Sequence, residues 1–252
     1  QCFVVGTLCG WLREDDGLRR FRTCYLETGK GSGKSPLGAG IGLYLLTADG
    51  QKGAECYCAA VTRDQAQIAF RDAVPMVDSS PALSKRLIKS GTRVVFNLPL
   101  PSTGSFFRPI SSEGRALEGK PVHFALLDEI HEHPSAVVVD KIVAGIKALR
   151  QPLVCEITNS GYDRSSVCWS HHQYSVKVAS GALEDDEWFG SVCAPDPEDR
   201  PLDDESCWGK VNPSLGVTIR HDYLRKQVRE ARGMPAKESI VLRLNFWVCA
   251  SA

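Results

Sequence analysis

The chain of 252 residues is 43% hydrophobic and 24% charged, and its 30 basic residues balance its 30 acidic ones. This length suffices for one large hydrophobic core with a small appended subdomain. No apolar run approaches the roughly 18 residues of a membrane span, and no secretory signal opens the chain. Membrane and secreted classes are therefore excluded, and we expect a soluble protein.

The first segment with a chemical signature is a glycine-rich loop, Thr28-Gly29-Lys30-Gly31-Ser32-Gly33-Lys34-Ser35. A triphosphate carries several negative charges, and backbone N–H groups approach it closely only where side chains are absent. The three glycines provide that access. The pattern predicts a phosphate-binding loop in which Lys34 contacts the β- and γ-phosphates and the Ser35 hydroxyl is one ligand of Mg²⁺.

A helix is expected directly after this loop, because its N-terminus adds unpaired N–H donors and a positive dipole end to the phosphate site. Pro36 is tolerated in a first helical turn. Leu37, Ile41 and Leu45 then recur every four residues, as one buried helix face requires. The loop departs from the usual pattern at Thr28, where glycine is expected, so the loop alone also allows a glycine-rich turn without function.

The next elements are a strand over Glu55 to Val61 and a helix over 63–73 that Thr62 caps. Cys56 and Cys58 share one face of that strand, so two buried thiols are expected in preference to a zinc site. The ten cysteines are scattered without a C-x-x-C pair, which favours reduced thiols in a cytosolic compartment. The helix offers four apolar residues to its inner face: Ala66, Ile68, Ala69 and Phe70.

A further strand is expected over Arg93 to Leu98. The segment from Pro99 to Pro121 is rich in serine, glycine and proline, which suits a long functional loop better than a core element. The apolar run from His123 to Leu127 predicts a buried parallel strand, since it is too short and too uniformly apolar for an amphipathic helix.

Two carboxylates, Asp128 and Glu129, stand at the end of this buried strand. Ligands of open α/β sheets bind beyond the carboxyl ends of the strands. Asp128 would hold Mg²⁺ directly or through water, and Glu129 would polarise the attacking water as general base. An isolated Asp-Glu pair usually lies in a solvated loop, but together with the glycine-rich loop it predicts a nucleoside-triphosphate hydrolase.

The following segments continue an α/β pattern. A helix is expected over Asp140 to Leu149, and a strand over Leu153 to Ile157 ends at the same edge as Asp128. That strand delivers a polar segment to the edge: Thr158, Asn159, Ser160 and Gly161. Strands that alternate with helices predict an α/β fold with a mainly parallel central sheet flanked by helices.

The pattern changes after Ser170, so we divide the chain into an ATPase core of residues 1–170 and a smaller lid or linker subdomain of residues 171–252. Two helices are expected in the second part, over Asp222 to Arg232 and over Lys237 to Val248.

An acidic window separates these helices from the core. Residues 184–205 hold ten acids against the single base Arg200, and three prolines interrupt them. This composition predicts a loop or linker. Outside the window 29 bases face 20 acids, a surplus that permits a phosphate-binding surface without proving one.

Short motifs lie along nearly the whole chain: Gly10-Trp11, Arg19-Arg20-Phe21-Arg22, Lys30 to Ser35, Gln65-Ala66, Leu117-Glu118-Gly119-Lys120, Leu127-Asp128-Glu129-Ile130-His131-Glu132, Gln151-Pro152-Leu153, Thr158 to Gly161 and Val211-Asn212-Pro213-Ser214-Leu215-Gly216. Together they resemble the ATPase domain of a tailed-phage terminase large subunit. The combination is far more specific than any single motif. It implies a phosphate-loop NTPase fold of the ASCE type with a small C-terminal lid.

The resemblance implies a motor that hydrolyses ATP, with Mg²⁺ as cofactor, and pumps double-stranded DNA through a portal into a preformed capsid. The partners it implies are double-stranded DNA, the portal protein, the small terminase subunit and further copies of the chain in a five-membered ring. The location it implies is the cytoplasm of the infected bacterium, with a transient stay at the procapsid portal and none in the mature virion.

The resemblance also carries over to single residues. Gln1, followed by Phe3, matches a glutamine that senses adenine, so the chain is expected to be trimmed upstream. Lys30 stands where the family commonly has arginine, and it keeps the charge without the two-pronged geometry. The family has an arginine that reaches the neighbouring subunit's site, for which Arg115 is our first choice and Arg108 our second. A solvated loop arginine is the alternative.

The segment from Thr158 to Gly161 resembles the family motif that couples hydrolysis to lid movement, with Asn159 as a variant and an ordinary polar turn as the alternative. The family's second part is a metal-dependent nuclease. The chain stops near Phe246, where the ATPase part ends, so we expect the nuclease domain to be absent and no DNA cleavage. A helicase-like ATPase remains open, as does a nucleotide-binding assembly module without turnover.

Two histidines follow the paired acids. His131 and His133 could bind a metal, but packing or lining of the nucleotide site is favoured. A zinc-protease helix is excluded because Ser135 stands where its second histidine should be.

Overall fold

The structure, a computed structural model, describes residues 1–91, 94–111, 119–133, 135–147, 149–161, 163–242 and 246. The strands are β1 (Thr23–Glu27), β2 (Glu55–Ala60), β3 (Leu98–Leu100), β4 (Ser105–Ser111), β5 (Val122–Asp128), β6 (Leu153–Thr158) and β7 (Trp188–Val192). The helices are α1 (Cys2–Gly10), α2 (Lys34–Thr47), α3 (Arg63–Arg71), α4 (Ala73–Ser79), α5 (Pro81–Ser84), α6 (Val137–Ile146), α7 (Val167–Ala179), α8 (Trp208–Val211), α9 (His221–Gly233) and α10 (Pro235–Val241). Within these ranges, no helix combines the length and the apolar character needed to cross a bilayer.

The strands form one sheet in the order β3-β4-β2-β5-β6-β1-β7. All neighbours run parallel except the antiparallel pair β3 and β4, which confirms the predicted α/β architecture. Glu27 at the end of β1 pairs with Thr158 at the end of β6, and Asp128 at the end of β5 pairs with Ile157. The segments that follow β1, β5 and β6 therefore leave the sheet at one edge.

The central strands are buried on both faces, because alternate side chains enter two separate apolar clusters. Leu126 joins the cluster that contains Ile41 of α2 and Phe70 of α3. Its neighbour Leu127 joins the cluster that contains Ile142 of α6. Burial on both faces explains why β5 has an uninterrupted apolar sequence.

Cys56 and Cys58 lie on one face of β2, as predicted, and both are fully buried free thiols.

The helix predicted after the glycine-rich loop is confirmed as α2, with Ile41 and Leu45 buried and Leu37 packed against the same cluster. The predicted Thr62 cap of α3 is also confirmed. The Thr62 hydroxyl accepts a hydrogen bond from the Gln65 N–H, and the Gln65 side chain in turn accepts one from the Thr62 N–H.

On α3, Ala66, Ala69 and Phe70 are buried as expected, but Ile68 is 57% exposed. The placement of Ile68 on the inner face is therefore wrong, because that position turns toward solvent.

Two predictions between β2 and β5 are wrong. Of the strand expected over 93–98, only Leu98 lies in a strand; residues 94–97 form no more than a bridge from Asn97 to Ser90, and residue 93 lies outside the described part of the chain. The loop expected from Pro99 to Pro121 contains β4, which pairs with β2 from Phe106 to Ser111. That pairing, and the burial of Phe107, outweigh the weak strand propensity of a segment with Pro109 in it.

The loop or linker expected over residues 184–205 is wrong for residues 188–192. These form β7, an edge strand that pairs in parallel with β1 from Trp188 to Val192. The sheet thus extends beyond residue 170, which itself lies inside α7. The division of the chain after residue 170 stays a prediction.

The C-terminal helices share a third apolar cluster, in which Trp208 packs on Phe246 with ring centroids 5.4 Å apart. The helix predicted over 222–232 is confirmed as α9, which buries Leu224 and Val228 in this cluster. The helix predicted over 237–248 is described as far as residue 242, and α10 begins earlier, at Pro235.

Two glycines allow α2 to approach β5 closely. A Cβ at Gly38 would lie 2.5 Å from a methyl carbon of Leu126, and one at Gly42 would lie 2.8 Å from a ring carbon of Phe124. We expect Gly38→Ala and Gly42→Ala each to lower the free energy of unfolding by about 1–3 kcal/mol, because overpacking a buried contact costs more than the better helix former returns.

The matched control is Gly40→Ala on the same helix, where the nearest atom to a Cβ is the Met76 sulfur at 3.9 Å. This variant should gain up to about 1 kcal/mol. Urea unfolding of the three variants measures both effects, and equal stability of Gly38→Ala and Gly40→Ala would contradict the close packing.

Candidate functional site

The glycine-rich loop connects β1 to α2 and enters the helix at Gly33. Gly31 and Gly33 have φ values of 87° and 76°, in the left-handed region that glycine adopts without strain. Gly33 is the N-cap of α2, so the unpaired N–H groups of the first helical turn face the loop. The local geometry is that of an anion-binding turn.

The Lys34 ammonium is folded back across the loop. Its Nζ donates to the carbonyl oxygens of Thr28 and Gly29 at 3.0 and 3.2 Å, and to the Thr28 hydroxyl at 3.3 Å. Burial lowers the pKa of Lys34, and the nearby carboxylates, of which Glu129 has the largest influence, oppose that effect. A buried cation therefore lies where the loop would meet a phosphate.

The paired acids lie opposite the start of α2. The Ser35 hydroxyl donates to Oδ2 of Asp128 at 3.4 Å, which brings together the two predicted metal ligands. Burial raises the pKa of Asp128, with the Glu129 N–H, Lys34 and Ser35 acting in the opposite direction.

Glu129 is half-buried, and burial raises its pKa. With φ 50° and ψ 53°, it is the one non-glycine residue with a positive φ in the part of the chain that the structure describes. This conformation turns the chain sharply at the end of β5.

The hydroxyl and carboxylate oxygens of Ser35 and Asp128 are hard donors of the kind that Mg²⁺ prefers. Across the described ranges, no cluster of three or more His, Cys, Asp or Glu side chains could hold a metal ion. The donor set fits Mg²⁺, which is commonly held by one or two protein oxygens together with substrate phosphates.

The end of β6 contacts both the loop and the turn that follows the acids. The Thr28 N–H donates to the Thr158 carbonyl at 3.3 Å, and the Thr158 hydroxyl lies 2.9 Å from Nδ1 of His131. The side-chain oxygen of Asn159 is buried and has no hydrogen-bond partner among the described residues. Thr158 is thus the junction between the glycine-rich loop and the paired acids.

The two histidines after the acids are both buried. His131 lies 3.2 Å from Oε2 of Glu129 and 3.0 Å from Oε1 of Glu132. Nε2 of His133 lies 3.3 Å from the Asp128 carbonyl, and burial lowers the pKa of His133. Both imidazoles are packed beside the acids.

Glu27, at the end of β1, was not identified from the sequence. It is fully buried below the loop, and its Oε2 accepts from the Tyr25 hydroxyl at 2.7 Å and lies 3.0 Å from Nδ1 of His172. Burial raises the pKa of Glu27, and His172 opposes this most strongly. The available signal was a carboxylate as the last residue of an apolar strand.

The C-terminal part contacts the loop directly, a contact that was not predicted from the sequence. The Gly29 N–H donates to the Val211 carbonyl at 3.1 Å, and the Thr218 hydroxyl donates to the Gly31 carbonyl at 3.1 Å. Ile219 packs beside Gly31. The signal was the motif that begins at Val211, which stood out without a chemical role.

The remaining predicted site residues differ in their surroundings. Nε2 of Gln1 donates to the Gly33 carbonyl at 3.3 Å, so this side chain lies against the loop. Lys30 is exposed. The Arg108 guanidinium lies 4.4 Å from the centroid of the Phe106 ring, within its own sheet. Arg115 lies outside the described residues.

The chain matches the family model described as terminase large subunit, ATPase domain, over residues 1–177. It is 25% identical over 226 residues to the terminase large subunit of Enterobacteria phage HK97, covering 88% of this chain and 43% of that protein. It is 29% identical over 135 residues to Protein YmfN of Escherichia coli strain K12, covering 53% of this chain and 30% of that protein. The chain matches less than half of the length of each relative.

The fold is similar to the crystal structure of the HK97 bacteriophage large terminase, with a TM-score of 0.78 and 22% sequence identity. This match covers 90% of this chain and 47% of that chain. Together with the family match over residues 1–177, it confirms the predicted α/β phosphate-loop fold of the ASCE type.

The burial of Asp128 has a consequence for stability. Because its pKa is raised in the folded state, the folded chain binds more protons than the unfolded chain as pH rises through the carboxyl range, so the free energy of unfolding falls with rising pH across that window. We expect Asp128→Asn to raise the free energy of unfolding of the nucleotide-free chain at about pH 8, and the gain to vanish below about pH 3, where the carboxyl is protonated in the folded and the unfolded chain.

Denaturant unfolding at several pH values measures this effect. Glu14→Gln, an exposed carboxylate, serves as the control and should change little at any pH. A less stable Asp128→Asn at the higher pH would mean that the contacts with Ser35 and Lys34 outweigh burial.

Proposed function

Because the chain belongs to the family of terminase large-subunit ATPase domains, we propose that it hydrolyses ATP to drive double-stranded viral DNA into a preformed capsid. The observation that carries this proposal is the meeting of three segments at one edge of the sheet: the glycine-rich loop, the Asp128-Glu129 pair and Thr158. Loop, acids and the polar end of β6 supply the groups that phosphoryl transfer to water needs.

ATP would lie with its phosphates over the glycine-rich loop and its adenine toward Gln1, which contacts Gly33. Lys34 would leave the carbonyls of Thr28 and Gly29 and turn to the β- and γ-phosphates. The exposed Lys30 is free to approach the γ-phosphate from the solvent side. The remaining loop residues, Gly31 and Ser32, would contribute backbone N–H groups.

Ser35 and Asp128 would hold Mg²⁺. When bound, the ion would neutralise charge on the phosphate oxygens. The carboxylate of Asp128 is desolvated by burial, and a cation at this position would compensate for the cost of that desolvation.

Glu129 would act as general base. Its Oε2 is buried beside His131, but the side chain as a whole is 44% exposed, so the carboxylate can accept a hydrogen bond from a water that attacks the γ-phosphate. The left-handed backbone at this residue, which costs about 1–3 kcal/mol, fixes the direction in which the carboxylate leaves the strand.

The contacts of Gly29 with Val211, and of Gly31 with Thr218, provide a route from hydrolysis to movement. The backbone N–H of Gly29 donates to the Val211 carbonyl. A phosphate that accepts this hydrogen bond instead would break the contact between the loop and the C-terminal part of the chain. A change in the position of the acids during hydrolysis would be transmitted to the same loop through the segment from Thr158 to Gly161. We propose that residues 171–252 move as a lid against the core of residues 1–170.

Arg115 is our candidate for the arginine that enters the neighbouring subunit's site. Arg108, the second choice, already packs on Phe106 and Tyr57 of its own sheet. Such an arginine can contribute about 10³–10⁵-fold in rate. It requires neighbouring copies of the chain, and a ring of five around DNA is the arrangement we propose.

The further partners proposed are double-stranded DNA, the portal protein and the small terminase subunit, in the cytoplasm of an infected bacterium and transiently at the procapsid portal. The surplus of basic residues outside the acidic window suits contact with DNA phosphates.

Replacing the proposed base tests the catalytic assignment. Glu129→Gln should lower kcat for ATP by about 10²–10⁴-fold, because the amide cannot accept the water proton, while a non-hydrolysable ATP analogue still binds. Glu198→Gln, an exposed carboxylate, is the matched control and should hydrolyse ATP as the unaltered chain does. Equal rates in the Glu129 variant would contradict its role. Binding without turnover in every variant would leave a nucleotide-binding module, and unwinding of duplex DNA would favour a helicase.

A mixing experiment tests whether Arg115 acts between subunits. Arg115→Ala and Glu129→Gln should each be inactive alone, but an equal mixture should regain turnover, because the Glu129 variant supplies its arginine to a neighbour with an intact base. Specific activity should also rise steeply with protein concentration. A mixture as inactive as its components would contradict an arginine supplied in trans.

A further inference from the structure

His131 lies between the proposed base, Glu129, and the segment from Thr158 to Gly161 at the end of β6. It belongs to the 3₁₀ turn Ile130–Glu132 that follows Glu129, and the residue is 8% exposed. Its side chain turns inward, against the end of β6, although the turn itself lies at the surface edge of the sheet. A buried, ionisable ring next to a proposed base is a candidate for more than packing.

The contact with Thr158 links the ring to the end of β6. Nδ1 of His131 and the Thr158 hydroxyl oxygen are 2.9 Å apart, and that hydroxyl also lies 2.8 Å from the Asn159 carbonyl, to which it can donate. A hydroxyl has one hydrogen to donate. With that hydrogen on the carbonyl, the hydroxyl oxygen accepts from Nδ1.

Carboxylates lie on either side of the ring. Nε2 of His131 lies 3.0 Å from Oε1 of Glu132, and a carboxylate only accepts, so this contact suits an Nε2 that carries a hydrogen. Nδ1 lies 3.2 Å from Oε2 of Glu129, without a hydrogen bond. The imidazole therefore stands between the proposed base and Glu132.

The backbone of the same segment also lies close to His131. A Cβ at Gly161 would lie 3.3 Å from the Cβ of His131. Thr158 and Gly161, the two ends of the segment, thus both lie beside His131. We expect a shift of the segment to move the imidazole, and with it the ring nitrogen that faces Glu129.

We propose that His131 is a positioning residue through which the Thr158 to Gly161 segment sets the orientation of the Glu129 carboxylate. This inference rests on the proposed ATP hydrolysis. His131 does not touch the reacting atoms. It ties the base to the segment that faces the loop and the C-terminal part, so that the base is aligned only in one arrangement of that segment.

The matched variants are His131→Asn and His131→Gln. The asparagine amide nitrogen reaches the position of Nδ1 and keeps the donor to Thr158, whereas the glutamine amide reaches the position of Nε2 and keeps the donor to Glu132. We expect His131→Ala and His131→Gln to lower kcat about 10–100-fold, and His131→Asn to recover most of it. The equilibrium Kd of a non-hydrolysable ATP analogue should change less than about twofold in all three.

Thr158→Val supplies an independent test, since it removes the acceptor and keeps the shape of the side chain. The double variant with His131→Ala should be no slower than His131→Ala alone, because both changes break the same link. This comparison uses ratios of kcat, so a general loss of stability, checked by thermal unfolding of each variant, does not imitate the result.

Several outcomes would overturn the inference: full turnover of His131→Ala, equal rates for the asparagine and glutamine variants, or independent effects of His131→Ala and Thr158→Val. Should His131→Ala fail to fold, the asparagine and glutamine variants and Thr158→Val still decide. An unaltered chain that hydrolyses no ATP contradicts the proposed function itself, and with it the inference, whereas an active unaltered chain beside a fully active His131→Ala contradicts only the inference.

Discussion

The parallel pairing of β1, β5 and β6 is the constraint on which the site depends. Their registers bring Glu27 beside Thr158 and Asp128 beside Ile157, so three separate segments leave the sheet at one edge. Because these strands are buried on both faces, a slip of one residue would exchange the side chains of two apolar clusters, and the register is therefore strongly specified. The position of the loop relative to the acids follows from packing far below the site.

Burial at this edge keeps charges in an environment that disfavours them. It raises the pKa of Asp128 and Glu129 and lowers that of Lys34, because the charged form of each group is less stable when buried than in water. The lysine replaces part of the hydration that it loses on burial by donating hydrogen bonds to loop carbonyls. A nucleotide with its metal would supply the missing partners of both signs, which is a common reason for active sites to reduce the stability of a fold.

Much of this site was predictable from the sequence because its signals are local. Glycine spacing identified the loop, and a uniformly apolar run identified β5 and the acids at its end. The strands β4 and β7 were not predicted because pairing with a neighbouring strand stabilises them. β4 pairs with β2 although it contains Pro109, and β7 pairs with β1 although the segment around it is acidic. The contacts of His131 with Thr158 and of Val211 with Gly29 join residues 27 and 182 positions apart, and such contacts appear only once the chain has folded.

The most direct test of the central claim, that this edge holds a magnesium nucleotide, is calorimetric titration of the unaltered chain with a non-hydrolysable ATP analogue. We expect saturable binding that weakens strongly when magnesium is chelated and is lost in Lys34→Ala, since the lysine and the metal would both contact the phosphates. Binding that depends on neither magnesium nor Lys34, or no binding at all, would contradict it.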